Sequence, residues 1–233
     1  MSQESKEGIL LVNKPVGKTA FSLVGRLRKL LNIKKIGHAG TLDPFATGVM
    51  VMLIGRKYTK LSDMFLNEDK EYVAELRLGL TTETFDTEGS VTGESDYVPS
   101  IEEVEKVISK FQGDIEQIPP MFSAKKVDGK KLYELARKGQ TVERKPIKVF
   151  VETHLMRYEY PVLSIHVTCS KGTYIRTIAD DMGRLLGCGA HLTNLERTRS
   201  GRYRVNECIE GDKLFDGEVS TDELIDNIQP LFS

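Results

Sequence analysis

The run "GILLVNKP" is apolar until Asn13, Lys14 and Pro15 close it, which predicts a strand followed by a turn. In "TAFSLVGRLRKLLN" apolar residues recur at Phe21, Val24, Leu27, Leu30 and Leu31, a helical spacing. Gly37, Gly40 and Pro44 break up the next stretch and predict a loop. "VMVMLI", from Val49 to Ile54, then predicts a strand buried on both faces. "KEYVAELRLGL" alternates, with Tyr72, Ala74, Leu76, Leu78 and Leu80 on one face. "SIEEVEKVISKFQG" predicts a helix opened by a capping box of Ser100 and Glu103, with Gly113 after its end. "PIKVFVETHLMRYEY" and "VLSIHVTC" read as paired strands, and "GTYIRTIADDMGRLLG" as a helix ending at Gly187. A last helix, "STDELIDNI", carries a second box, Ser220 with Glu223.

Strands and helices mix without a regular βαβ repeat, so the expected class is α+β. No internal repeat, low-complexity segment or linker interrupts the chain, and a single domain over 1–233 is expected. Residues 119–148 open with Pro119 and Pro120, are crowded with Lys, Arg and Gly, and read as an insertion.

With 233 residues, 39% of them hydrophobic and 29% charged, the composition is that of an ordinary soluble protein. Cys169, Cys188 and Cys208 have no paired spacing, which argues against a disulfide framework or a zinc site and fits a reducing cytosol. "MSQESKEGIL" lacks the apolar centre of a signal peptide, and no apolar run nears the roughly 20 residues of a membrane helix. The expected location is the cytoplasm. The net charge of −1 hides strong blocks. Residues 14–60 hold ten Lys and Arg against one acid, and 71–120 hold twelve acids against three bases. Residues 121–148 return to nine bases against three acids, and 166–204 to seven against three, while the stretch from 205 holds eight acids and one base. Such blocks are either a solvated mixture or basic segments that converge on one face, as a polyanion binder requires.

Against this background Asp43 stands out, for it is the one acid between Gly8 and Ser62. It lies in a loop leading into a core strand, a favourable place for a catalytic group. Neighbouring cations favour an ionised Asp, which can act as nucleophile or base but is a poor general acid. An ordinary glycosidase needs a second carboxyl group to protonate its leaving oxygen and is therefore disfavoured. Glycosidic cleavage remains open where the leaving group is a stable anion, such as uracil detached at N1. The plainer reading of Asp43 is a turn or cap residue before Pro44. Gly17, Lys18 and Thr19 echo a phosphate-binding loop, but Val12 stands where that signature needs glycine and Pro15 interrupts the turn. His38, His154, His166 and His191 show no ligand spacing, and no metal is expected.

The segment "GHAGTLDPFATGVM" resembles the signature loop of the TruB family of tRNA pseudouridine synthases, in which the Asp of "LDP" is catalytic. "LLVNKPVGKTA", "DKEYVAELRLG", "PPMFSAKKVDGKKLYELAR", "SKGTYIRTIADDMG" and "GCGAHLTNLERTRSG" are similar to further family blocks, in the family's order, across about residues 9 to 202. The resemblance implies a pseudouridine-synthase fold: a mixed, mainly antiparallel sheet flanked by helices and loops, with 119–148 as a basic thumb. It implies Asp43 as nucleophile or base and His38 against the flipped nucleotide, where the residue-level alternative is a plain loop histidine. It implies Tyr72 stacked on the uracil, where the strand pattern also permits a core residue. Arg176 is implied to pair with Asp43, although its spacing also permits a helical pair with Asp180. Tyr174 and Leu195 are implied to line the uridine pocket, and Leu195 also fits core packing.

The implied partner is the T-arm of tRNA, bound by a monomer with no cofactor, no guide RNA and no membrane. Many family members continue into an RNA-binding PUA domain. Only 32 residues follow Gly201, with acids in excess of bases, so a short acidic helical tail over 205–233 is expected and a full PUA domain is not. The rival function is a non-catalytic tRNA-binding or tRNA-folding module on the same scaffold.

Overall fold

A computed structural model describes residues 7–127 and 129–231; the start of the N-terminal stretch read for a leader (1–6), Asp128 of the insertion and 232–233 lie outside the described residues. β1 (Gly8–Lys14) leads into α1 (Ala20–Leu31), whose first turn is held by a capping box between Thr19 and Ser22. Such a cap stabilises a helix by about 1 kcal/mol. β2 (Ile36–Ala39) and β3 (Thr47–Ile54) follow, with the Asp43 loop between them. α2 (Arg56–Thr59), α3 (Ser62–Leu66) and β4 (Lys70–Leu78) come next. Then come β5 (Leu80–Thr82), β6 (Val91–Glu94), α4 (Ile101–Ile108) and β7 (Gln112–Gln117). The basic insertion carries the small β8 (Lys126–Val127) and β9 (Lys130–Lys131) and α5 (Leu132–Ala136). β10 (Ile147–Glu159), β11 (Val162–Cys169), α6 (Ile175–Leu186) and β12 (Ala190–Ser200) complete the middle of the chain. β13 (Tyr203–Arg204) follows, and the acidic stretch from 205 forms a 3-10 turn, β14 (Ile209–Glu210), α7 (Gly211–Asp216) and α8 (Thr221–Asp226).

Two compact units result, Met1–Tyr72 with Glu196–Ser233, and Val73–Leu195. The division falls inside β4 and β12. In the first unit β3 is central. It pairs antiparallel with β1 from Gly8↔Ile54 to Lys14↔Gly48, antiparallel with β2, and parallel with Glu196 and Arg197 of β12. β14 extends this unit by pairing parallel with β1. Val49, Val51 and Leu53 join a core with Ile9, Leu11, Phe65 and Tyr203, while Met50, Met52 and Ile54 are buried on the opposite face. The expected two-sided burial of this strand is therefore found. Each such side chain contributes roughly 1.5–3 kcal/mol on leaving water.

In the second unit β10 is flanked by β11 and β7, both antiparallel. Val149, Val151 and Thr153 point inward, and Phe150, Glu152 and His154 point outward, the alternation of a half-buried strand. α4 opens on the expected capping box of Ser100 and Glu103. α6 buries Ile175, Ile178, Ala179, Met182 and Leu186 and ends at Gly187 in the left-handed conformation. The mixture of antiparallel and parallel pairs with helices is the α+β class expected.

Two local readings change. Phe21 is not on the buried face of α1 but is 76% exposed, and Leu23 takes the inward place beside Val24. With the helix beginning at Ala20, the inward stripe runs through Ala20, Leu23, Val24, Leu27 and Leu31. At the last helix Ser220 accepts from the Glu223 N–H, so that half of the expected box is formed.

Candidate active site

Lys14, at the end of β1, is fully buried, which an ammonium tolerates only when its protons are accepted. Its Nζ donates to the carbonyls of Pro15 (2.9 Å), Lys18 (2.6 Å) and Pro44 (3.0 Å). The Gly17 N–H also donates to Pro44 O, at 2.8 Å. These bonds tie the turn after β1 to the loop that carries Asp43. On the other side of the loop stands Arg197, 1% exposed. Its Nε donates to Val49 O at 2.8 Å and its guanidinium also reaches Thr41 O at 3.4 Å. Two buried cations thus hold the loop, one at Thr41 and one at Pro44.

Gly48 permits the close approach of the Arg197 backbone. Its φ is +106°, and a Cβ there would lie 2.2 Å from the Arg197 carbonyl oxygen. Its N–H donates to Asn13 Oδ1 at 3.1 Å. Within the loop, the Ala46 N–H donates to Asp43 O at 3.1 Å. Asp43 is half-buried on this frame. His38, half-buried on β2, has its Nδ1 2.8 Å from Gly40 O, a bond that orients the ring at the start of the same loop. Tyr72 is buried on β4. The triplet that echoed a phosphate loop has structural work instead. Thr19 caps α1, and the Lys18 ammonium sits 4.6 Å over the Phe215 ring.

The second unit holds Tyr174, Arg176 and Leu195. Tyr174 is the residue before α6, and the side chain of Gln117 treats it as a strand partner. Gln117 Nε2 donates to Tyr174 O at 3.0 Å, and the Tyr174 N–H donates to Gln117 Oε1 at 2.8 Å. Two residues later, Arg176 is buried against Asp86, at 3.2 Å. The same guanidinium donates to Thr84 O (3.0 Å) and Phe122 O (2.8 Å). Asp86 is itself held in place: its Oδ1 accepts from the Thr84 hydroxyl and from the Glu88 N–H. Phe85, beside it, adopts φ +63°, a strained conformation for a bulky residue that the surrounding turn maintains. Leu195 is buried on β12. Asp180, which the helical spacing offered to Arg176, pairs with Arg184 at 3.2 Å. Burial raises the Asp180 carboxyl above its ordinary value, and Arg184 opposes that shift.

Lys14, Arg197, Asp86 and Gln117 were not singled out by the sequence. Lys14 and Arg197 read as two more solvated cations in basic blocks. Asp86 is one of twelve acids between 71 and 120, in a Thr- and Gly-rich context that signals only a turn.

A family model described as "TruB family pseudouridylate synthase (N terminal domain)" matches residues 28–175, and one described as "tRNA pseudouridylate synthase B C-terminal domain" matches 176–231. A protein of Protochlamydia amoebophila (strain UWE25) named tRNA pseudouridine synthase B is 62% identical over 89% of this chain and 79% of its own length. A protein of the same name from Chlamydia pneumoniae is 60% identical over 92% of this chain and 91% of its own. Among solved structures, a chain of a Cbf5-Nop10-Gar1 complex superposes with a TM-score of 0.73 at 28% identity and covers 96% of this chain. This chain spans about 60% of the length of that one.

Proposed function

Because the chain belongs to the TruB family of pseudouridylate synthases, we propose that it isomerises uridine 55 in the T-arm of tRNA to pseudouridine. The observation that carries this reading is the setting of Asp43. It is the one acid between Gly8 and Ser62, in a loop held at Thr41 by buried Arg197 and at Pro44 by buried Lys14. A carboxylate so placed opens the reaction at the ribose, and the N1–C1′ bond breaks with its electron pair leaving on uracil. The anion turns in the pocket, bonds to C1′ through C5, loses the C5 proton and gains one at N1. Nothing is oxidised and no group is imported, so the reaction requires no cofactor.

The uridine must leave its stack first, at a cost of a few kcal/mol. Phosphate contacts from the basic segments, including the thumb at 119–148, offset that cost and fix the RNA's register. His38 is assigned to holding the flipped nucleotide out of the stack, and Tyr72 to stacking on the uracil and assisting the proton at C5. Tyr174 and Leu195 are assigned to the walls of the uridine pocket. Arg176 is the cationic counterpart of the reacting carboxylate, held in place by Asp86, Thr84 and Phe122. The enzyme is expected to act as a stand-alone cytoplasmic monomer.

The test is tritium release from a T-arm stem-loop labelled at uridine C5, with Asp43→Asn beside the unaltered protein. Release at catalytic enzyme concentration that vanishes in Asp43→Asn is the expected result. RNA binding without release from the unaltered protein would overturn the assignment.

A further inference from the structure

A cleft of about 330 Å³ opens between α1, β2 and the α2–α3 segment of the first unit. Its volume lies at the lower end of the range for small-ligand sites, roughly 300–1,000 Å³. Its walls include Phe21, Val24, Arg28, Ile36, His38 and Ser62, and no carboxylate lines it. Phe21 is the most exposed large hydrophobic residue of the described chain, and it stands at this cleft rather than in the core. Arg28 is fixed across the wall, its guanidinium donating to Ile36 O at 3.1 Å. That bond uses one of the five N–H donors such a fork carries. Exposed cations border the site in the chain: Lys35 precedes Ile36, and Lys57 and Lys60 flank Thr59, another lining residue.

An aromatic ring free on one face, an anchored guanidinium and a basic rim have the chemistry of a single-stranded nucleotide site. The base stacks on the ring, and the phosphate meets the fork. An acidic polypeptide would use the cations but has no need of an exposed phenyl group. We propose that this cleft binds a second, unpaired nucleotide of the RNA substrate beside the reacting uridine, with His38 the one wall residue the two subsites share. The inference rests on the tRNA-modifying reading above and extends it to a second contact.

Phe21→Ala, Phe21→Tyr and Arg28→Gln test it on the full chain, with unmodified tRNA transcript as probe. Filter binding supplies Kd, and single-turnover tritium release at saturating RNA supplies the rate. Phe21→Ala should weaken binding at least about fivefold, the lower end of what loss of one base stack costs. Phe21→Tyr, which keeps the ring, should bind as the unaltered protein does. Arg28→Gln should flatten the salt dependence of binding by about one phosphate contact. The saturated rate should stay within about twofold in all three. Because Phe21 is exposed, its truncation does not open the core, and matched thermal melts verify this. Unchanged Kd and salt slope in Phe21→Ala and Arg28→Gln would overturn the proposal and leave the cleft to an acidic polypeptide. Absence of tritium release from the unaltered protein refutes the catalytic reading alone, since the Kd comparisons still decide the cleft.

Discussion

Asp86 is the clearest case of a residue whose importance is tertiary. It is 1% exposed, and the buried Arg176 guanidinium pairs with it at 3.2 Å. Asp86→Asn keeps the shape but weakens a buried charge-assisted contact, a loss of about 1.5–3 kcal/mol. Urea denaturation should show the midpoint falling by a matching amount, and an unchanged midpoint would contradict the buried pairing. The pattern of the chain revealed Asp43 because its neighbours are uniformly basic, whereas Asp86 is hidden among other acids. Lys14 and Arg197 escaped for a related reason: composition treats lysine and arginine as solvated, and only the fold shows carbonyls gathered around them. Cys208 illustrates the reverse effect of burial. Burial, with Glu207 and Glu210 beside it, pushes its thiol up to about 12. The folded value is raised above the unfolded one. Its stabilising contribution is therefore complete below the ordinary thiol range and lost as pH rises through about 12. At pH 8 the Cys208 peptide should be alkylated by iodoacetamide more slowly in the native chain than in urea. Equal rates, read by mass spectrometry, would refute the shift.

Between neighbouring elements, most of what the site needs was legible. β1, the alternating β4, the paired β10 and β11, and α6 with its Gly187 stop all follow from periodicity and punctuation. The inward stripe of α1 did not, because Phe21 lies a residue away from the Ala20–Leu23–Leu27 line and periodicity over so short a helix tolerates either phase. Nor could any pattern show that Gln117, at the root of the insertion, bonds twice to Tyr174, 57 residues away. That clamp joins the last residue of β7 to the start of α6. Gln117→Met removes both bonds and should cost about 1–3 kcal/mol of stability. More tellingly, it should lower the saturated single-turnover rate about tenfold while tRNA affinity changes less than about threefold. Gln117→Glu, which keeps the acceptor for the Tyr174 N–H, should recover part of the rate. A parallel fall in affinity and rate would show that Gln117 supports RNA binding rather than the placement of Tyr174.

For the molecule as a whole, net charge conceals function. The chain carries −1 overall, yet ten bases face one acid across residues 14–60 and nine face three across 121–148. Binding driven by those blocks releases counterions, so tRNA affinity should fall at least about tenfold between 50 and 200 mM salt. Affinity indifferent to salt would mean that the basic blocks do not reach phosphate. The division into two units left no mark in the sequence because it falls within strands, where neither glycine, proline nor a change of composition signals it. The acidic C-terminal stretch showed the cap of its last helix but neither α7 nor its strand, since the two residues of β14 carry no periodicity.

That short strand has a consequence for how the protein is made. β1 takes Val12↔Ile209 and Asn13↔Glu210 as partners, and Ile9 exchanges both backbone hydrogen bonds with Gln229, at 2.8 Å each. β1 is thus completed by residues synthesised long after it. At about 5–20 residues per second, the delay between Lys14 and Ile209 is roughly 10–40 s. Throughout that interval one edge of β1 has no native partner, and an open edge is where chains stick to one another. Val73–Leu195, contiguous in sequence, has no such dependence. Stalled or prematurely terminated translation products should therefore aggregate through their N-terminal strand, with the middle of the chain already folded.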